Sequence, residues 1–271
     1  MFVLGLVIGS FLNVCIRRIP REESIALPGS RCPACQASIK PYDNIPVVSW
    51  LALRGRCRNC KASISALYPA VELLSGALFV VCYLVFGPSL EAAKWAIFSA
   101  LLIVLTITDV RERILPDKVN FTGLGVGLAL SLFTRPFDGT ALWFANRLFD
   151  FPPPRPVLSI TDAVLGGLAG SGLLWFVSEG YFHLRGREGM GLGDVKMMAM
   201  AGTFLGLKRT LLTILAGSLL GSVIGLLLIA LVGKGRDYEL PFGTFLGAGA
   251  LLVVFFGTPA LDWYQSLIAV P

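Results

Sequence analysis

Apolar stretches recur along the chain at residues 2–16, 69–87, 93–109, 119–133, 161–178, 196–207, 210–232 and 241–257, separated by Gly, Pro or charged breaks. A hydrocarbon core of about 30 Å takes roughly 20 apolar residues as helix, so the pattern predicts an all-α, polytopic membrane bundle of about eight spans. The stretch at 196–207 is the weakest, because about 12 residues rise only about 18 Å and need helical neighbours or a thinned bilayer to cross. The first stretch is also short, as a truncated start would leave it. Its basic residues, Arg17 and Arg18, follow the apolar run instead of preceding it, the wrong polarity for a signal peptide. The pattern divides the chain into a first transmembrane helix at 1–16, a polar loop domain at 17–67 and a membrane domain at 68–271.

Composition agrees: 55% of the 271 residues are hydrophobic and 15% charged, well below the charge of an average soluble domain. The chain holds 23 Lys+Arg against 17 Asp+Glu, a net charge of +6 that by itself would suit nucleic acid. The placement of those charges gives a different meaning. With Arg17 inside and every stretch spanning, 17 of the 23 basic residues fall on one face, in 17–66, 110–118, 179–196 and 233–237. The other face receives six, so the positive-inside rule makes the richer face cytoplasmic and both termini outer. The outer segment 134–160 carries Trp143, Phe144 and the run Pro152, Pro153, Pro154, and is expected to be an interfacial loop without chemistry.

Four of the six cysteines lie in the polar loop as Cys32-Pro-Ala-Cys35 and Cys57-Arg-Asn-Cys60. Two C-x2-C pairs at this separation match a tetrahedral four-thiolate zinc site, each pair forming a tight knuckle. The alternatives are disulfides, which the reducing side disfavours, or idle thiols. A loop of about 50 residues cannot bury a full core, so the metal would supply most of its folding energy. The role is structural first, a cytoplasmic zinc ribbon. Cys15 and Cys82 lie inside apolar stretches and read as packing residues. The loop has no run of like charges, so nucleic-acid binding is not expected.

One histidine excludes a multi-His metal site and leaves catalysis to Asp, Glu, Cys or Lys. Asp109 closes the third span and Asp194 opens the sixth in Gly189-Met-Gly191-Leu-Gly193-Asp194-Val-Lys196, both at the cytoplasmic face of the expected topology. Two carboxylates brought together share a proton, one activating water while the other protonates the substrate carbonyl. This is aspartyl protease chemistry. The residues alone leave a second reading open, with Asp194 as a helix N-cap and Asp109 as an end charge paired with Arg111 or Arg113. Asp117 and Asp162 are expected to cap the fourth and fifth spans, and Glu72, near the start of the second, is expected to face the site.

The chain resembles the bacterial type IV prepilin peptidases, bifunctional leader peptidase/N-methyltransferases of the inner membrane. The likeness is carried by Gly9-Ser-Phe-Leu-Asn-Val14 with Arg18-Ile-Pro20, by Cys32-Pro-Ala-Cys35, and by Tyr42-Asp-Asn-Ile-Pro-Val47 with Ser49-Trp50-Leu51. It continues through Gly55-Arg-Cys57 with Cys60, Tyr68-Pro69 with Val71-Glu72, Asp109 with Leu115-Pro-Asp117, Gly191 to Lys196, and Pro241-Phe-Gly243. The resemblance implies a GxGD-type membrane aspartyl protease with Asp109 and Asp194 as catalytic residues. Gly191, Gly193, Lys196, Pro241, Phe242 and Gly243 are the implied substrate-binding set. It further implies a prepilin or pseudopilin substrate with a short basic leader, in a type IV pilus or type II secretion system. It also implies transfer of a methyl group from S-adenosylmethionine to the new N-terminal amine. No Gly-rich dinucleotide fingerprint points to that donor; Asp43, Gly55, Arg56 and Glu72 are the candidates for its site. Leu67 stands where the family commonly has Arg, and Thr244 where it often has a second proline, departures that bear on loop docking or substrate preference.

Two other classes are weighed against this. A proton-coupled transporter would place paired acids at the midplane within an internal repeat, and neither is read here; a zinc-loop scaffold for secretion machinery would need the aspartates only as caps. A peptidase without methyl transfer is the nearer alternative.

Overall fold

A computed structural model of the chain describes residues 1–134, 139–148, 153–186, 190–232 and 240–268. Pro152, Gly189 and the inner segment 233–237 lie outside the described residues. Ten α-helices follow in order: α1 (Phe2–Arg18), α2 (Val48–Ala52), α3 (Leu67–Phe86), α4 (Leu90–Glu112), α5 (Asp117–Ser131), α6 (Thr140–Leu148), α7 (Arg155–Arg185), α8 (Leu192–Leu205), α9 (Leu207–Val232) and α10 (Phe242–Ile268). Among the described residues there is no strand beyond two isolated bridges. Among the described residues six helices, α1, α3, α4, α7, α9 and α10, are long and apolar enough to cross a membrane. The remaining two of the eight expected stretches are the shorter helices α5 and α8.

The chain forms two compact units, Met1–Val104 and Leu105–Pro271. In the first, α1 lies on α3 through bare backbone. A Cβ on Gly5 would stand 2.7 Å from the Gly76 Cα, and one on Gly9 would stand 2.7 Å from the Glu72 Cα. Small residues at such crossings let helices approach where lipid supplies no hydrophobic drive between them. Asn13 ties the end of α1 to the start of α3, donating to the Tyr68 carbonyl at 3.0 Å.

The second unit is built around α8. At 14 residues it rises about 21 Å, too little for a bilayer, but Met197, Met198, Met200, Ala201, Phe204 and Leu205 are almost wholly buried. Its neighbours are other helices, which is what the weak apolar signal at 196–207 requires. Gly202 meets the Gly166 backbone of α7, and Gly127 of α5 sits beneath Thr203 and Phe204 with no room for a side chain.

Three expectations are corrected. The outer segment is not all loop, since 140–148 is helical. Asp162 lies about a quarter of the way into α7 and caps α6 instead of its own helix, accepting the Ala141 N–H at 2.6 Å. Asp117 stands in the first turn of α5, whose N-cap is Pro116, and makes no capping bond; its carboxylate holds Lys196, at 2.7 Å. Within α6, Trp143 and Phe144 meet edge to face at 5.0 Å and are exposed, as an interfacial position suits.

Because Gly202 faces backbone that cannot rotate away, Gly202→Leu should cost about 3 kcal/mol or more. Its melting temperature in detergent should fall, while Gly172→Leu, with nothing within 4 Å of the added Cβ, should melt like the parent.

Candidate functional site

In the second unit the two aspartates come to one point. Asp109 lies in the last turn of α4 and Asp194 in the first turn of α8, 85 positions apart in sequence and both buried. A Cβ on Gly243, near the start of α10, would stand 3.0 Å from Asp194 Oδ1 and 3.1 Å from Asp109 Oδ2. The two carboxylates therefore flank a single gap that exists because residue 243 has no side chain. Leu115, in the link between α4 and α5, closes one side of it. Its Cδ1 would lie 2.8 Å from the same added atom, and its Cβ 3.1 Å from a Cβ on Gly193.

Asp194 is not the N-cap residue of its helix, and Asp109, which feels the charge of Arg113, is also held by a partner outside its own helix. Gly191 holds the N-cap of α8 and no side chain caps it; the Asp194 backbone N–H donates to the Gly191 carbonyl at 3.1 Å. Asp194 Oδ1 is buried with no hydrogen-bond partner among the described residues. Asp109 Oδ2 accepts two hydrogen bonds from Thr244, one from the backbone N–H at 2.7 Å and one from the hydroxyl at 2.8 Å. Thr244 did not emerge from the sequence as a site residue. Its one signal was its place three residues after Pro241, where a helix begins and first-turn N–H groups are unsatisfied.

The expected substrate-binding residues divide. Gly191, Gly193 and Gly243 belong to the aspartate gap, and Pro241 and Phe242 lead into it as the entry of α10. Lys196 extends toward the exposed Asp117, its Nζ 2.8 and 2.7 Å from the two carboxylate oxygens, so it joins the starts of α5 and α8.

In the first unit the four cysteines of the loop gather with all Sγ atoms within 4.8 Å of one another. Cys32 and Cys60 Sγ are 3.8 Å apart, too far for a disulfide. A tetrahedral ion with bonds of about 2.3 Å would space its sulfurs by about 3.8 Å, so the four fit zinc. Sequence reading missed why they gather so regularly. Arg31-Cys-Pro-Ala-Cys-Gln-Ala-Ser-Ile39 and Arg56-Cys-Arg-Asn-Cys-Lys-Ala-Ser-Ile64 are one knuckle written twice. Cys32 N–H donates to Ala37 at 2.9 Å and Cys57 N–H to Ala62 at 2.8 Å. Gln36 and Lys61 follow with φ of 58° and 60°, and bridges pair Arg31 with Ser38 and Arg56 with Ser63. Backbone N–H groups, foremost those of Cys35 and Ala37, hold the Cys32 and Cys35 thiols below their ordinary values, whereas at Cys60 the Ala62 N–H is outweighed by burial and the three neighbouring thiols, which push the thiol up to about 11.

The four residues expected at the methyl-donor site have individual tasks. Asp43 is gripped by Arg58, whose Nε and Nη2 both donate to it at 2.7–3.1 Å. Gly55, at φ +64°, lies under the Trp50 indole, where a Cβ would come within 2.9 Å. Glu72 accepts the Val47 N–H at 2.7 Å and secures a residue whose own φ is +62°. Arg56 lines a cleft of about 420 Å³ with Leu53, Arg54, Cys57 and Lys61.

Comparison with known proteins follows this division. Residues 3–86 match the family model for the bacterial peptidase A24 N-terminal domain, and residues 96–226 match that of the type IV leader peptidase family. The chain is 33% identical over 293 residues to a prepilin leader peptidase/N-methyltransferase of Aeromonas salmonicida (strain A449), covering 99% of this chain and 94% of that protein. A protein of the same name from Burkholderia pseudomallei (strain 1026b) is 35% identical, over 95% of this chain and 84% of its own length. One from Myxococcus xanthus (strain DK1622) is 38% identical over 100% of this chain and 76% of its own length. No solved structure matches the chain.

The Arg58 guanidinium holds the Asp43 carboxyl below its ordinary value, through hydrogen bonds first and charge second. The pair's contribution is therefore complete above the ordinary carboxyl range and is lost as pH falls through the lowered value. Arg58→Ala and Asp43→Asn should each speed limited proteolysis of the loop at neutral pH to a similar degree, and the double variant should be no faster than either.

Proposed function

The chain belongs to the type IV leader peptidase family, and from that premise we propose that it cuts the leader from type IV prepilins or pseudopilins with Asp109 and Asp194, then methylates the new N-terminal amine. The observation that carries the peptidase reading is the meeting of both carboxylates at Gly243, 3.0 and 3.1 Å from where its Cβ would be. A substrate strand enters where Gly193 and Gly243 leave backbone bare, with the scissile carbonyl between the two acids. One aspartate removes a proton from water as its oxygen attacks the carbonyl carbon; the other delivers its proton to the carbonyl oxygen. The tetrahedral diol then collapses, the C–N bond breaks, and the leaving nitrogen takes up a proton. Water is consumed, and the dyad is regenerated with one proton.

Pro241 and Phe242 present the strand beside the gap, and Lys196, with Asp117, keeps the Gly191–Asp194 turn in place. Gly191 supports the same turn through its carbonyl. The bias of 17 basic residues to six supports a cut made on the cytoplasmic side, and the apolar helices with the family support the inner membrane. The substrates follow from the names of the relatives, and they fit a type IV pilus or type II secretion system.

Cys32, Cys35, Cys57 and Cys60 hold a structural zinc ion, which replaces the core that the loop lacks. S-adenosylmethionine, when bound, supplies an electrophilic methyl group to the uncharged N-terminal amine. Arg56 in its cleft is the best placed of the four candidate residues to meet an anionic carboxylate, with Gly55, Glu72 and Asp43 shaping the loop around it.

Asp109→Asn and Asp194→Asn should each insert normally and abolish prepilin cleavage, read by the mobility shift of the substrate; cleavage by either at the parental rate overturns the peptidase assignment. Neither change touches the zinc loop, so both variants should still label a pre-cleaved pilin with radioactive S-adenosylmethionine. Purified protein should carry about one zinc per chain by elemental analysis, and Cys57→Ser should lose it.

A further inference from the structure

Helix α10 begins with backbone N–H groups that no residue of the helix can satisfy, since an α-helix leaves its first four unpaired. At its third position, one of these donors is taken by a carboxylate from far away in sequence. The Thr244 N–H and hydroxyl both donate to the same oxygen, Asp109 Oδ2, at 2.7 and 2.8 Å. The backbone bond is short for an N–H donor, and the hydroxyl bond has the ordinary O–H···O length. The hydroxyl has a second acceptor in reach, the Thr106 carbonyl, but at 3.4 Å this is the poorer partner. Asp194 has less support: a backbone N–H of Gly191 reaches its carboxylate, but its buried Oδ1 has no partner among the described residues. The two acids are thus unequal: one is fixed from two directions, the other has an oxygen to offer.

We propose that Thr244 is a positioning residue of the peptidase, its paired donors orienting Asp109 while Asp194 Oδ1 is left to engage the substrate carbonyl. This rests on the reading of Asp109 and Asp194 as the cleaving pair. It adds that their geometry is set by the first turn of α10, and that the asymmetry between them is built into the resting enzyme. Thr244 touches neither water nor substrate in this scheme and acts only through Asp109.

The hydroxyl donor can be removed on its own in the full-length enzyme. Thr244→Ser keeps it, and Thr244→Val removes it at the same side-chain volume while keeping the backbone N–H. With purified enzyme and a prepilin substrate, kcat should fall about 10-fold in the valine variant, with KM within about twofold of the parent. The serine variant should recover most of the activity lost in the valine variant. Detergent melting of each variant reports folding. Parental kcat in the valine variant, a loss confined to KM, or a serine variant as slow as the valine one would each overturn the proposal. Asp109→Asn measured alongside separates the two levels. If it still cleaves, the dyad reading fails; if it is inactive while Thr244→Val keeps the parental kcat, only the role of Thr244 fails.

Discussion

A carboxylate buried among helices is costly unless donors or another ionisable group meet it. The second unit brings two such groups to one place, which adds a like-charge repulsion that a shared proton relieves. Asp109 is supplied with donors by α10 and Asp194 is carried in by α8, and the point they share is a residue with no side chain. The arrangement of helices around them follows. α8 starts at the aspartate gap, and glycines on both sides let its neighbours close over it, Gly202 of α8 against Gly166 of α7 and Gly127 of α5 beneath Thr203.

The first unit solves a different problem by a different route. Some 50 polar residues between α1 and α3 cannot form a core, and two copies of one knuckle gather four thiolates in its place. The ion pair of Asp43 with Arg58 links the turn at Pro41–Asp43 to the second knuckle, and Glu72 anchors the strained Val47. Asp43 and Glu72, two of the candidate residues for methyl-donor binding, therefore also hold the loop in place, so substitutions there act on the loop's shape as well as on any ligand.

The fold was legible from hydropathy because membrane helices must satisfy their backbone internally, and each of the eight apolar stretches is a helix. The cysteine spacing was equally clear, since tetrahedral thiolate geometry constrains the chain locally. What escaped depended on contacts between distant segments. Asp162 capping α6, Asp117 holding Lys196 and Thr244 holding Asp109 are all pairings that no local pattern encodes. The repeat Arg-Cys-x-x-Cys-x-Ala-Ser-Ile stands in the sequence, but that its flanking residues shape the knuckles shows only in the paired bonds of Cys32 to Ala37 and Cys57 to Ala62. Thr244 departs from the family pattern in sequence, and only the fold shows that both its donors reach Asp109.

The central claim is that both carboxylates work across the space above Gly243. Replacing that glycine by alanine adds one methyl group between them, at 3.0 and 3.1 Å from their oxygens and 2.8 Å from Leu115, and alters no titratable group. The rate of prepilin cleavage by Gly243→Ala, in protein that inserts and binds zinc like the parent, is therefore the most direct test. The account predicts a loss of cleavage of at least about 100-fold; cleavage at the parental rate would contradict it.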